Sequence, residues 1–140
     1  HHIDVGPVSG QLGKKLADVS SALGAFVQDL GSELFKTTLV LVMSEFGRTV
    51  KENDNRGTDH GHGGFMLAVG GGLTGKQVYG RWTGLDEEQL YERRDLPVHT
   101  DFRVVLAEVL SGHFGFDADK AQHFPGFRSA GQSLGFLHRA

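Results

Sequence analysis

Cysteine is absent from the 140 residues, which excludes disulfides, iron–sulfur clusters and thiolate zinc sites together. The compartment stays open, because exported and cytosolic proteins can both lack cysteine. No apolar run approaches the roughly 20 residues of a membrane-spanning helix, and no signal peptide is read at the start. An excess of positive charge is missing as well. The formal charge is -3 and the isoelectric point near 6.2, so there is no basic field to hold nucleic acid or an anionic membrane. Internal repeats, linkers and low-complexity stretches are also lacking. What remains is an ordinary composition, 39% apolar and 22% charged, at a length that suits a single domain over residues 1–140.

Glycine and histidine are plentiful, at 21 and 8 residues. Glycine serves tight turns and close backbone approaches, and histidine is the commonest neutral metal ligand. The opening His1-His2-Ile3-Asp4 reads either as a polyhistidine-tag remnant or as a start within a longer protein.

Leu12, Leu16, Val19, Leu23, Phe26, Val27 and Leu30 recur at spacings of three and four, one face of a helix across residues 9–32. Gly13 and Gly24 weaken that helix by roughly 1 kcal/mol each, so packing must hold it. Thr37 to Ser44 is continuously apolar and β-branched, the pattern of a strand buried on both faces in a parallel sheet. A helix feeding such a strand predicts a layered α/β fold. Residues 45–64 form a polar loop, long enough to suggest function. Phe65 to Val69 reads as a second strand, Gln77-Val78-Tyr79 as an edge strand, and Asp86 to Arg94 as a surface helix. Thr100 is a plausible N-cap for a last helix with a core face of Phe102, Val105, Leu106, Val109, Leu110 and Phe114. From Gln122 onward the aromatic, glycine-rich tail reads as an irregular segment packed on the body.

The strongest chemical signal is Asp59-His60-Gly61-His62-Gly63-Gly64. A carboxylate and two imidazoles within four positions suit divalent cations such as zinc and manganese. In an extended loop His60 and His62 face the same side and Asp59 does not, so two of the three share an ion and the third supports them. The alternative is a surface turn with solvated histidines. Ser44-Glu45-Phe46-Gly47-Arg48 ends the first strand, where open α/β sheets bind their ligands. Glu45 suits a metal ligand or general base. Arg48 offers a planar fork for a tetrahedral oxyanion. An ordinary Glu45–Arg48 ion pair is the competing account. Gly70-Gly71-Gly72 lacks the lysine and hydroxyl of a phosphate loop and reads as a turn. Asp101 suits the start of its helix, Arg103 a structural ion pair, and His113, His123 and His138 structural roles.

Taken in order, Ser44-Glu45-Phe46-Gly47-Arg48-Thr49, Gly57-Thr58-Asp59-His60-Gly61-His62-Gly63, Val78-Tyr79-Gly80, Thr100-Asp101-Phe102-Arg103 and Phe124-Pro125-Gly126 resemble the carboxyl-terminal portion of the bacterial family known as domain of unknown function 1501. The likeness spans nearly the whole chain. That family is similar to the alkaline phosphatase and sulfatase superfamily, which implies a three-layer α/β sandwich with only the carboxyl-terminal part of its sheet present. The resemblance further implies divalent metal, zinc first and manganese, calcium or magnesium as alternatives, and twin-arginine export to the periplasm or beyond the cytoplasm. It makes His2 the histidine of a Trp/Phe-Asp-x-His motif and hence a fifth metal-ligand candidate beside Glu45, Asp59, His60 and His62. Where the superfamily carries an Asp-His pair at the strand end, this chain has Glu45-Phe46, and the nucleophile lies upstream. The implied activity is metal-dependent hydrolysis of a phosphate or sulfate ester, on a small-molecule or glycan substrate, with Glu45 and Arg48 catalytic. This chain alone is then inactive. A non-catalytic relative that binds metal or a glycan is the alternative.

Overall fold

The computed structural model describes residues 10–117, 124–129 and 131–138. Helix α1 runs Gln11–Lys36 and breaks at Gly31, whose φ of 65° is left-handed backbone that favours glycine. The helix forms where the spacing predicts, but its apolar stripe is only partly covered: Leu23, Val27 and Leu30 are half-buried, whereas Leu12, Val19 and Phe26 are exposed. Gly13 is its buried residue, while Leu16 and Leu34 remain more than half exposed. Thr37 and Thr38 close the helix by donating from Oγ1 to the Leu34 carbonyl.

Strand β1, Leu39–Val42, is antiparallel to β4, Leu67–Gly70, with Leu39 opposite Gly70 and Val42 opposite Leu67. This corrects the expectation of a parallel, doubly buried strand. A parallel neighbour requires a crossover, usually helical, and no helix intervenes between Val42 and Leu67. The chain instead turns out and back through a short hairpin, β2 (Gly47–Arg48) against β3 (His60–Gly61). All four residues of β1 are half-buried, and Leu39 and Leu41, on alternate positions, pack on the core with Met66 and Ala68.

Helix α2, Phe102–Phe114, supplies the core's other wall through Val105 and Val109, joined by Phe136 and Leu137. Asp101, not Thr100, is the N-cap: its carboxylate accepts from the Arg103 amide at 2.9 Å. The buried positions of α2 are Val104, Val105, Ala107, Glu108 and Val109, and the flanking Phe102 and Phe114 are exposed. Gly115 ends the helix at φ 71°, and the Phe116 amide reaches back to the Leu110 carbonyl. Two other expected elements are not regular. Gln77-Val78-Tyr79 is no strand, although the Tyr79 hydroxyl donates to the Thr74 carbonyl at 2.7 Å and its ring meets the core. Of the surface helix only a 3-10 turn, Glu87–Gln89, exists.

Glu108 closes the core. Its Oε2 accepts from Ser133 Oγ at 2.9 Å, the Leu134 amide at 2.7 Å and the Gly135 amide at 3.1 Å. Its Oε1 accepts from the Phe136 and Leu137 amides at 2.7 and 3.3 Å. Consecutive amides wrapped on one carboxylate form an anion nest, permitted by Gly135 at φ 69°. The same tail pairs with the chain after β4: the Thr74 amide donates to Phe136 and the His138 amide to Gly72. Replacing Glu108 by alanine leaves buried amides without acceptors, at on the order of 3 kcal/mol. Chemical denaturation of Glu108→Ala should show that loss, with Glu108→Gln intermediate.

Candidate functional site

The connection between β1 and β4 carries most of the residues singled out in the sequence, and its main chain is held by a crossing of glycines. The Arg48 amide donates to the Gly63 carbonyl at 3.2 Å, and the Gly63 amide to the Leu96 carbonyl at 2.7 Å. Thr49 donates to Asp59, and Val50 to Arg94. A side chain on Gly47 would overlap the Gly63 carbonyl, and one on Gly61 would meet the Arg48 backbone. One on Gly63 would lie 2.6 Å from the Leu96 and Pro97 carbonyls. Close approach, rather than a special φ, is the reason for glycine here.

Beyond the hairpin, Asn53 organises the turn. Its Oδ1 accepts from the Asn55 and Gly57 amides, and its Nδ2 donates to Asp59 Oδ1 at 2.8 Å. Asp59 is thus engaged with Asn53, while its amide donates to Thr49 Oγ1. Arg48 and His60 are register partners. Both lie against Phe46: the His60 ring stacks on it at 3.7 Å between centroids, and the guanidinium carbon sits 5.6 Å from it. Arg48 Nη1 also donates to the Thr58 carbonyl at 2.9 Å, tying the hairpin's two sides.

His62 goes elsewhere. The ladder ends at Gly61, so the alternation expected of His60 and His62 does not extend to the second ring. The His62 ring stacks on Tyr91 at 4.1 Å and 14°. Tyr91 opens a tight turn, closed by Tyr91 and Asp95 amide–carbonyl pairs at 2.9 and 3.0 Å. Asp95 is buried, and its carboxylate accepts from Arg94 Nε at 2.7 Å and Nη2 at 3.2 Å. The Arg94 guanidinium holds the Asp95 carboxyl below the ordinary range against the opposing pull of burial, and a hydrogen bond from the His62 amide adds to the effect. Glu87 accepts from Lys51 and Arg93, bridging the hairpin and this turn. Its carboxyl is also lowered, first by the Lys51 hydrogen bond.

Glu45 is exposed at the bend before β2, and no ion pair joins it to Arg48 among the described residues. His2 lies outside those residues, as does His123. Asp101 and Arg103 form a bidentate pair, with Nη2 to Oδ2 at 2.6 Å, and the guanidinium sits over Phe127. Sequence reading missed Asp95, Tyr91 and Glu108. The stretch Val104 to Leu110 is apolar apart from Glu108, and a helix apolar all round is buried, so its one carboxylate needs partners. That signal was present. Asp95 pairs with its neighbour Arg94, but its bridge to Thr49 lies across the chain, which no local pattern reveals.

The donor chemistry of His60, His62 and the nearby carboxylates suits zinc. Their arrangement does not fit it: among the described residues no group of three or more histidine and carboxylate side chains is gathered to hold a metal ion. No helix of the described residues is long and apolar enough to cross a membrane. A family profile described as protein of unknown function (DUF1501) matches residues 1–123. The chain belongs to that DUF1501 family. No curated protein and no solved structure matches it.

Gly47→Ala forces the two sides of the crossing apart, at on the order of 2 kcal/mol or more. Urea denaturation should register that loss, with Gly72→Ala, where a side chain meets open space, as the mild comparison. A second expectation concerns acid. Asp95 and Asp101 have lowered carboxyl pKa values, each first through its arginine hydrogen bond. The stability they lend is fully present above about pH 4, the unfolded carboxylate value, and is lost as pH falls through the lower folded value. Melting temperatures between about pH 5 and pH 2 should therefore decline less steeply in Asp95→Asn and Asp101→Asn than in the parent.

Proposed function

We propose that this chain is the carboxyl-terminal part of a metal-dependent hydrolase of phosphate or sulfate esters, similar to the alkaline phosphatase and sulfatase superfamily. The reading includes a three-layer α/β sandwich for the whole protein and an export route to the periplasm or beyond the cytoplasm. What carries it is the placement of Arg48 and His60 side by side on a hairpin locked by glycines, at the end of β1, with Glu45 and His62 on its flanks. Arg48 offers charge to a tetrahedral ester oxyanion, and in this reading Glu45, exposed three residues earlier in the chain, takes up or holds a proton. Because the described donors do not assemble three together, the cation of this reading takes its remaining ligands from outside them, with His2 one candidate. Zinc is the first choice, then manganese, calcium or magnesium. The substrate is a small-molecule or glycan ester, and nucleic acid is no partner.

One observation favours a second reading, a relative that binds metal or a glycan without turnover. Phe46 stands where the superfamily pattern has a ligating histidine, and the His60 ring lies stacked on it.

Full-length protein, supplied with zinc, should hydrolyse p-nitrophenyl phosphate or p-nitrophenyl sulfate, and His60→Ala/His62→Ala should lower turnover about 100-fold or more. Unchanged turnover in the double variant would sink the hydrolase assignment. Stoichiometric zinc without turnover would select the non-catalytic relative.

A further inference from the structure

Helix α1 is moored to the body near its end, where the Gly71 amide donates to the Phe35 carbonyl at 3.1 Å. Along its length no other helix or strand of the described residues packs against it, and none of its side chains belongs to the described core. Leu16, Val19 and Phe26 are 54%, 44% and 44% exposed, on the same stripe as the half-buried Leu23, Val27 and Leu30. A helix that carries Gly13, Gly24 and Gly31 gains little from propensity, and helices in proteins owe most of their stability to a covered apolar face. A contiguous exposed stripe of this kind marks an interaction surface.

The charges on α1 say what covers it. Its first half carries Lys14 and Lys15 against Asp18, an excess of positive charge, and its second half Asp29 and Glu33 against Lys36, an excess of negative charge. No acidic residue stands in the first turn. This polarity opposes the helix's own dipole, whose N-terminus favours anions and whose C-terminus favours cations. Pairs within the helix, Lys15–Asp18 at 4.0 Å and Lys36–Glu33 at 2.8 Å, lie on exposed side chains, where such pairs contribute little. A second α1 laid antiparallel resolves the mismatch. Its acidic half and the negative end of its dipole then lie beside Lys14 and Lys15, and a twofold axis makes the reciprocal contact as well. A parallel copy would set lysine beside lysine.

We propose that α1 is a self-association surface, pairing antiparallel with α1 of a second copy of this chain about a twofold axis at Leu23. In that register Leu16 faces Leu30 of the second copy, Val19 faces Val27, and Leu23 faces itself. Each apolar position of the stripe thus meets another, and the charged halves set the direction of the pair.

The test is sedimentation velocity of the full chain at low ionic strength, where charge is least screened. The parent chain should be dimeric at about 100 µM. Lys14→Glu/Lys15→Glu and Asp29→Lys/Glu33→Lys should each self-associate about tenfold more weakly, because each sets like charges across the seam. Mixed in equal amounts, the two variants should form a heterodimer at least as tight as the parent, since acid again meets base. Both reversals agree with the helix's own dipole, so α1 is kept, and far-UV circular dichroism checks that. A parent chain that stays monomeric overturns the proposal and leaves the stripe to a different occupant. A dimer that neither reversal weakens overturns it too, as do variants that associate no better mixed than alone.

Discussion

A carboxylate buried under a helix is stable only when its lone pairs are filled. Glu108 fills them with four consecutive backbone amides and a serine hydroxyl. That demand reaches well beyond α2. To supply those amides, residues 133–137 must curl around one point, and in doing so they deliver Phe136 and Leu137 to the core beside Val105 and Val109. The same segment pairs with residues 72–74 and so anchors the chain leaving β4. β4 in turn fixes β1 through their ladder. The frame from which the candidate site projects thus depends on one carboxylate in the otherwise apolar stretch Val104 to Leu110 of α2. A leucine at 108 would bury comparable area but would specify no register for the tail, since apolar contact is not directional.

The site differs in kind from this frame. Its main chain is tightly determined: Gly47, Gly61 and Gly63 leave no room for side chains where β2, β3 and residues 96–97 cross. The side chains above that crossing are disposed by rings and amides instead. Phe46 gathers His60 and Arg48, Tyr91 takes His62, and Asn53 takes Asp59. Neighbours in sequence are therefore distributed among three separate supports. A fixed backbone with individually held donors is what precise presentation of a ligand requires, even though these donors do not meet as a set.

The legible parts of the fold were those encoded by periodicity. The α1 stripe from Leu12 to Leu30 and the core positions Val105 and Val109 could be read off directly, because spacing alone determines which residues share a face. The strand at Leu39–Val42 was also visible. Its partner and direction were not, since a continuous apolar run looks the same in a parallel sheet and in an antiparallel pair with one covered face. The expected helix over Asp86–Arg94 failed because charges at helical spacing carry no apolar face to bury; the segment closes instead on Tyr91 and Asp95. In the site, the glycines and the Asp59 to His62 cluster stood out as motifs. The aromatic partners of the two histidines did not, because Tyr91 lies far along the chain and stacking leaves no trace in spacing.

Phe46 is the residue on which the two functional readings diverge. In the hydrolase reading proposed above, Phe46 stands where a ligand is expected and a phenyl ring offers none, so a metal on this rim would need another nitrogen nearby. His60 is the imidazole closest to that ring, 3.7 Å away and nearly parallel. A stacked imidazole still presents its ring nitrogens in the plane, because stacking uses only the faces. The contact with Phe46 therefore orients His60 without consuming its donor atoms. The guanidinium of Arg48 lies against the same ring, so one phenyl group supports both side chains. An aromatic ring in place of a ligand is thus compatible with turnover if it serves as a platform for the histidine opposite Arg48. It favours simple binding only if the stacked ring is held away from the ester.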